Sequence, residues 1–152
     1  MASPTSPAQA LRPSGDFLFA SWVRRLVATG NIIYAGAYSI VQVPGHPDPC
    51  VKVVFPLPNG NAMVIMRAEA TEENGLRLIS AGKEFGDPGF YFTVHRNRMI
   101  WARYVRAMQE TIHVYPGKDG VCCADHNLRL FGQTFLRLHY AMRPLLVQNQ
   151  PS

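Results

Sequence analysis

Glu110 and His126 are the residues whose setting in the sequence points most directly to chemistry. Across 111–142, one face carries apolar side chains that are all at even positions: Ile112 and Val114, then Cys122, Ala124, Leu128 and Leu130, then Leu136, Leu138, Tyr140 and Met142. A period of two marks half-buried strands. Three strands, 111–115, 121–130 and 134–142, share that face if the turns at 116–120 and 131–133 keep the parity. The turn lengths then set Val114 opposite Cys122, Ile112 opposite Ala124, Leu128 opposite Leu136, and Cys122 beside Met142. They also set Glu110 opposite His126, on the apolar face. A carboxylate there is costly unless paired, and an imidazole at a cross-strand distance of about 5 Å can pair it. Such a pair either works as general acid and base at the floor of a pocket or simply holds two strands in register.

Around the pair, Tyr140 offers a hydroxyl, and Met66, Met142 and Cys122 offer adaptable apolar lining. The opposite face carries His113, Cys123, Asp125, Asn127, Arg129, Arg137 and His139, with Asp125 facing His139 and Cys123 facing His113. These types bind metals. However, His113 and His139 are separated by a third strand, roughly 10 Å, so a shared ion would be strained. The sequence implies no metal and no cofactor: it contains no dinucleotide fingerprint, Walker loop, nucleophile elbow or HExxH. A second cluster lies between Pro88 and Gln109. No acid occurs there, while Arg96, Arg98, Arg103 and Arg106 interleave with Phe90, Tyr91, Phe92, Trp101 and Tyr104. Arginines between aromatics can make a phosphate track with stacking platforms.

The elements that must position these residues read as mainly antiparallel β. Residues 51–57 alternate up to Asn59-Gly60, a strong hairpin signal. A loop at 59–60 sets Phe55 opposite Val64, Val53 opposite Met66 and Val51 opposite Ala68. Residues 32–43, 76–81 and 90–95 read as further strands, and PGHPDP (44–49) as a turn-dense linker. The glycine-rich stretch 82–89 reads as a mobile rim loop. Two helices are expected: one over 17–29, capped by Asp16 and stopped by Gly30-Asn31, and a second, less marked, over 98–109, where Ile100, Trp101, Tyr104, Val105 and Met108 form a stripe. No βαβ alternation appears, so the fold class is α+β: a meander or small barrel-like curved sheet of roughly six to eight strands over an N-terminal helix. Residues 1–15 and 147–152 are expected as tails flanking one domain, 16–146.

With 152 residues, 47% of them hydrophobic and 16% charged, the chain can build one core and is not a disordered polymer. Three cysteines, Cys50 and the neighbours Cys122 and Cys123, form neither a disulfide framework nor a four-thiolate site, which points to reduced thiols in the cytoplasm. Arg24-Arg25 follow rather than precede the short apolar stretch 17–23, the wrong order for a secretory leader. No apolar run is long enough for a spanning helix. Three readings follow. The first is a binding protein for a small lipophilic molecule held in an apolar pocket of the curved sheet. The second is a cofactor-independent isomerase, cyclase or hydrolase using Glu110 and His126. The third, ranked last, is phosphate or single-stranded nucleic-acid binding through the arginine–aromatic face of Arg96, Arg98, Arg103 and Arg106. Oligomeric state is not read from the sequence.

Overall fold

The structure, a computed structural model, describes residues 8–11 and 19–143. Eleven strands follow one another: β1 (Ala8–Leu11), β2 (Phe19–Arg25), β3 (Ile32–Val41), β4 (Cys50–Leu57), β5 (Gly60–Ala70), β6 (Leu76–Ile79), β7 (Gly89–Arg96), β8 (Met99–Tyr104), β9 (Met108–Pro116), β10 (Cys122–Leu130) and β11 (Gln133–Met142). All described pairings are antiparallel. The order is β1-β2-β3-β4-β5-β6-β9-β10-β11, with a branch at β5: residues 60–65 pair with β7, which carries β8, and residues 67–70 pair with β6. The core sits at this fork. Val53, Val64, Met66 and Phe90 are buried there, with Tyr38, Val51, Phe55, Leu78, Val105, Met108 and Ile112 packed around them.

The sheet curls into a half-barrel. Trp22 on β2 comes within 6.5 Å of the Tyr140 ring on β11, and the Arg24 guanidinium lies 4.8 Å from the same ring. No backbone pairing joins β2 to β11 among the described residues, so side chains alone make this approach. No helix among the described residues is long and apolar enough to cross a membrane.

Neither expected helix forms. Residues 19–25 are β2, and Gly30 (φ 71°) belongs to a hairpin loop in which Leu26 N–H donates to Asn31 and Gly30 N–H donates to Leu26. A glycine of positive φ ends a helix and turns a hairpin equally well, so the stop signal was ambiguous. The aromatic and β-branched content of Phe19, Trp22 and Val23 suits a pleated surface. Residues 17 and 18 lie outside the described residues. The second helix is replaced by β8 and the start of β9. Asn97 (φ 53°) and Arg98 (φ 60°) form the two-residue loop that folds β8 back on β7. Two positive φ values in succession make a type I′ turn. Of the expected tail 1–15, residues 8–11 pair with β2 as β1, and the rest, with 147–152, lie outside the described residues.

Two expected registers shift by two residues without changing face. The β4–β5 loop is Pro58-Asn59, with Asn59 at φ 62°, so Val53 faces Val64 and Val51 faces Met66. Gly60 is instead the first residue of β5. A Cβ at this position would collide with the Thr93 carbonyl of β7, which is why the position takes glycine. Between β9 and β10, Ala124 faces Val114, His126 faces Ile112 and Leu128 faces Glu110. The β10–β11 register is the expected one, Cys122 facing Met142 and Leu128 facing Leu136, with a bulge after Leu128.

Candidate functional site

Even positions of β9, of β10 and of β11 from Leu136 onward face the concave side, and this brings Glu110 and His126 together. They are diagonal neighbours rather than opposite ones, because Glu110 faces Leu128 and His126 faces Ile112. Diagonal positions on adjacent strands lie about 7–8 Å apart, within reach of a glutamate and an imidazole. His126 Nε2 lies 2.5 Å from Glu110 Oε1, with side chains only 15% and 10% exposed. The contact is ionic in distance, yet Nε2 has no aligned hydrogen-bond partner. Ser80, where the sheet forks, holds the backbone of Glu110: its hydroxyl accepts from Glu110 N–H at 2.7 Å and donates to Glu110 carbonyl at 3.3 Å, and Ser80 N–H donates to that same carbonyl. Nothing in the sequence marks Ser80, since its role depends on the fork.

Tyr140 faces Ala124 on the same side as His126, their rings 6.3 Å apart. Trp22 continues the series across the gap to β2. Trp22 Nε1, His126 Nε2 and the Tyr140 hydroxyl are all buried without a hydrogen-bond partner. Trp22 was missed in the sequence because a helical β2 removes it from any sheet face. Leu128, Leu138, Tyr140 and Met142 are only half-buried, so the concave face is incompletely covered at this end. Cys122 and Met142 face one another at its margin. Met66 belongs elsewhere: it is fully buried in the main core.

The convex side of the same strands carries the odd residues. Asp125 faces His139, as expected, but also His113, because the register shift moves Cys123 opposite Tyr115. Asp125 Oδ1 lies 2.7 Å from His139 Nδ1, and Oδ2 accepts from the Tyr115 hydroxyl at 3.0 Å. The His139 contact, then the Tyr115 hydrogen bond, hold the Asp125 carboxyl below its ordinary range. The same bond, together with desolvation, raises the Tyr115 phenol. No group of three or more His, Cys, Asp or Glu among the described residues is disposed to hold a metal ion. A recess of about 640 Å³ opens on this side, lined in part by Thr111, Asn127, Arg129, Arg137 and His139.

The arginine–aromatic cluster separates. Phe90 and Tyr91 are buried. The Tyr91 and Tyr104 rings meet at a tilt, 5.1 Å apart, beside loop 82–88, in which the Tyr91 hydroxyl donates to Asp87 carbonyl at 2.5 Å and Asp87 Oδ2 accepts from Lys83 and Glu84 N–H. That loop is pinned at its base rather than a free rim. Phe92 and Trp101 remain exposed, on one face with Arg103, which is opposite Phe92, and Arg96, which is opposite Met99. Arg98 stands at the hairpin tip and Arg106 in the turn before β9. Comparison with family models, with curated proteins and with solved structures finds no match to this chain.

Proposed function

We propose that the protein binds a small amphiphilic molecule in the concave face between β2 and β10–β11. The observation that carries this reading is the two buried polar atoms without partners, Trp22 Nε1 and the Tyr140 hydroxyl, on neighbouring rings beside the Glu110–His126 contact. Each such group left unmet costs about 1–3 kcal/mol, and folded chains carry few of them. A ligand with one polar end satisfies them while its apolar part covers Leu128, Leu138 and Met142. Native mass spectrometry of the purified protein should show a retained small molecule. Independently, 1-anilinonaphthalene-8-sulfonate should bind with a saturable fluorescence gain that is lost in Trp22→Phe/Tyr140→Phe. Absence of a retained mass together with a dye response indifferent to that double variant would overturn the proposal. Catalysis by Glu110 and His126 is the alternative use of the same place. It requires Glu110→Gln to abolish turnover of the retained compound while binding persists.

A second reading rests on exposed Phe92 and Trp101 flanked by Arg96 and Arg103. Two stacking surfaces between two cations suit a single-stranded nucleic acid. Its test is oligothymidylate binding that weakens steeply with salt and disappears in Trp101→Ala. Salt-insensitive binding, or none, would end it.

A further inference from the structure

We propose that the convex recess over β9, β10 and β11 is a phosphate-binding site, with Arg129 and Arg137 as its cationic arms and Asn127 and Thr111 as its floor. Register places these groups. Asn127 lies directly between Thr111 on β9 and Arg137 on β11, and Arg129 is the next outward residue along β10. The two arginines are thus diagonal neighbours across one strand pair, about 7–8 Å apart at the backbone. Side chains of that length converge on one oxyanion from such a separation. The Arg129 guanidinium is held at one edge, where its Nε and Nη2 donate to the Gly132 carbonyl at 3.2 and 2.6 Å, and Nη1 lies outside that contact. Arg137 has no carboxylate within ion-pair distance among the described residues.

One acid, Asp125, also lines the recess. Its two oxygens are engaged by His139 and Tyr115. What remains toward the recess is mainly donor: two guanidiniums, an amide and a hydroxyl. The Arg137 fork can meet two oxygens of a phosphate while Arg129 adds a second cation, and a doubly charged anion gains more from two guanidiniums than a carboxylate does. Thr111, Asn127, Arg129 and Arg137 alternate along their strands with the residues of the concave face, so the four proposed contacts lie on the other side of the sheet.

The test is a titration of the isotopically labelled protein with inorganic phosphate at constant ionic strength, read by amide chemical shifts. Saturable shifts at Thr111, Asn127, Arg129 and Arg137, weakened about tenfold or more in Arg137→Gln, are expected. Arg137 is exposed, so that variant should keep the spectrum of the fold, and Arg129→Gln is the second check. Acetate at equal charge concentration should give no saturable shifts. Non-saturable shifts, equal response to acetate, indifference to both substitutions, or a response centred on the Arg96–Arg98 tip would overturn the proposal.

Discussion

The Glu110–His126 contact joins a base and an acid on a largely covered surface, and its energetic meaning differs from its chemical one. Removing one member of such a pair costs about 3–5 kcal/mol, because the other stays buried and unmatched, whereas replacing both with apolar groups is often neutral. Glu110→Leu should therefore lower unfolding stability by about 3 kcal/mol, and Glu110→Leu/His126→Leu should recover most of that loss. Denaturant unfolding of the three proteins checks it. If the double variant is as unstable as the single one, the pair is not the isolated unit described. The convex acid obeys a different rule. The Asp125 carboxyl is held below its ordinary value of about 3.9, so the folded state binds its proton less readily than the unfolded chain. Its contribution is present above the ordinary value and is lost as pH falls through the folded one. Both partners are more than a third exposed, so solvent screening keeps the effect small. Stability of the native chain should fall more steeply than that of Asp125→Asn below about pH 4. Parallel slopes would show that the contact does not distinguish the charged form.

At the scale of the strand, parity was legible and pairing was not. Each apolar run told which side of the sheet its residues face, because a slip of one would turn Ile112, Ala124 and Leu138 outward. A slip of two leaves every face intact, so neither Asn59-Gly60 nor the 116–120 turn could fix the partner of Val53 or of Glu110. The β10–β11 pairing matches the expected one because the turn is shorter by one residue, Phe131-Gly132, and the bulge after Leu128 restores that residue. The helices failed for a related reason. Over 17–29 the signal is a cap and a stop, and over 98–109 an apolar stripe that fits a helix, while tertiary pairing with β3 and β7 decides for strands. Gly60 was read as part of a turn, although its space is taken by β7, a strand about thirty positions onward. Gly60→Ala should consequently destabilise by about 1–3 kcal/mol through steric conflict, beyond any gain from a stiffer unfolded chain. Thermal unfolding measures it, and a neutral result would mean that β7 does not approach as described.

For the molecule as a whole, burial is uneven in a directed way. The face that is core at Val53, Val64 and Phe90 continues beyond the barrel end as Phe92, Val94 and Trp101, all exposed. The β7–β8 hairpin thus extends past the material that could cover it. Trp101 is 62% exposed and Ile100, on the other face, 68%. The outer edge of β8 also has no strand partner among the described residues. An unpaired edge with apolar groups on both faces is a template for unwanted pairing unless charge blunts it. Here Arg96, Arg98 and Arg103 provide that charge, which counter-ions screen over a length of about 8 Å at physiological salt. Added salt should therefore promote self-association through this hairpin, at a rate rising with protein concentration. Ile100→Thr/Trp101→Lys should suppress it while changing stability by no more than about 0.5 kcal/mol, since both positions lie outside the core. Light scattering against salt, with unfolding measured in parallel, reads both quantities. Association that persists in the double variant would move the adhesive surface to another edge, and a large loss of stability would mean that the hairpin supports the barrel rather than extending from it.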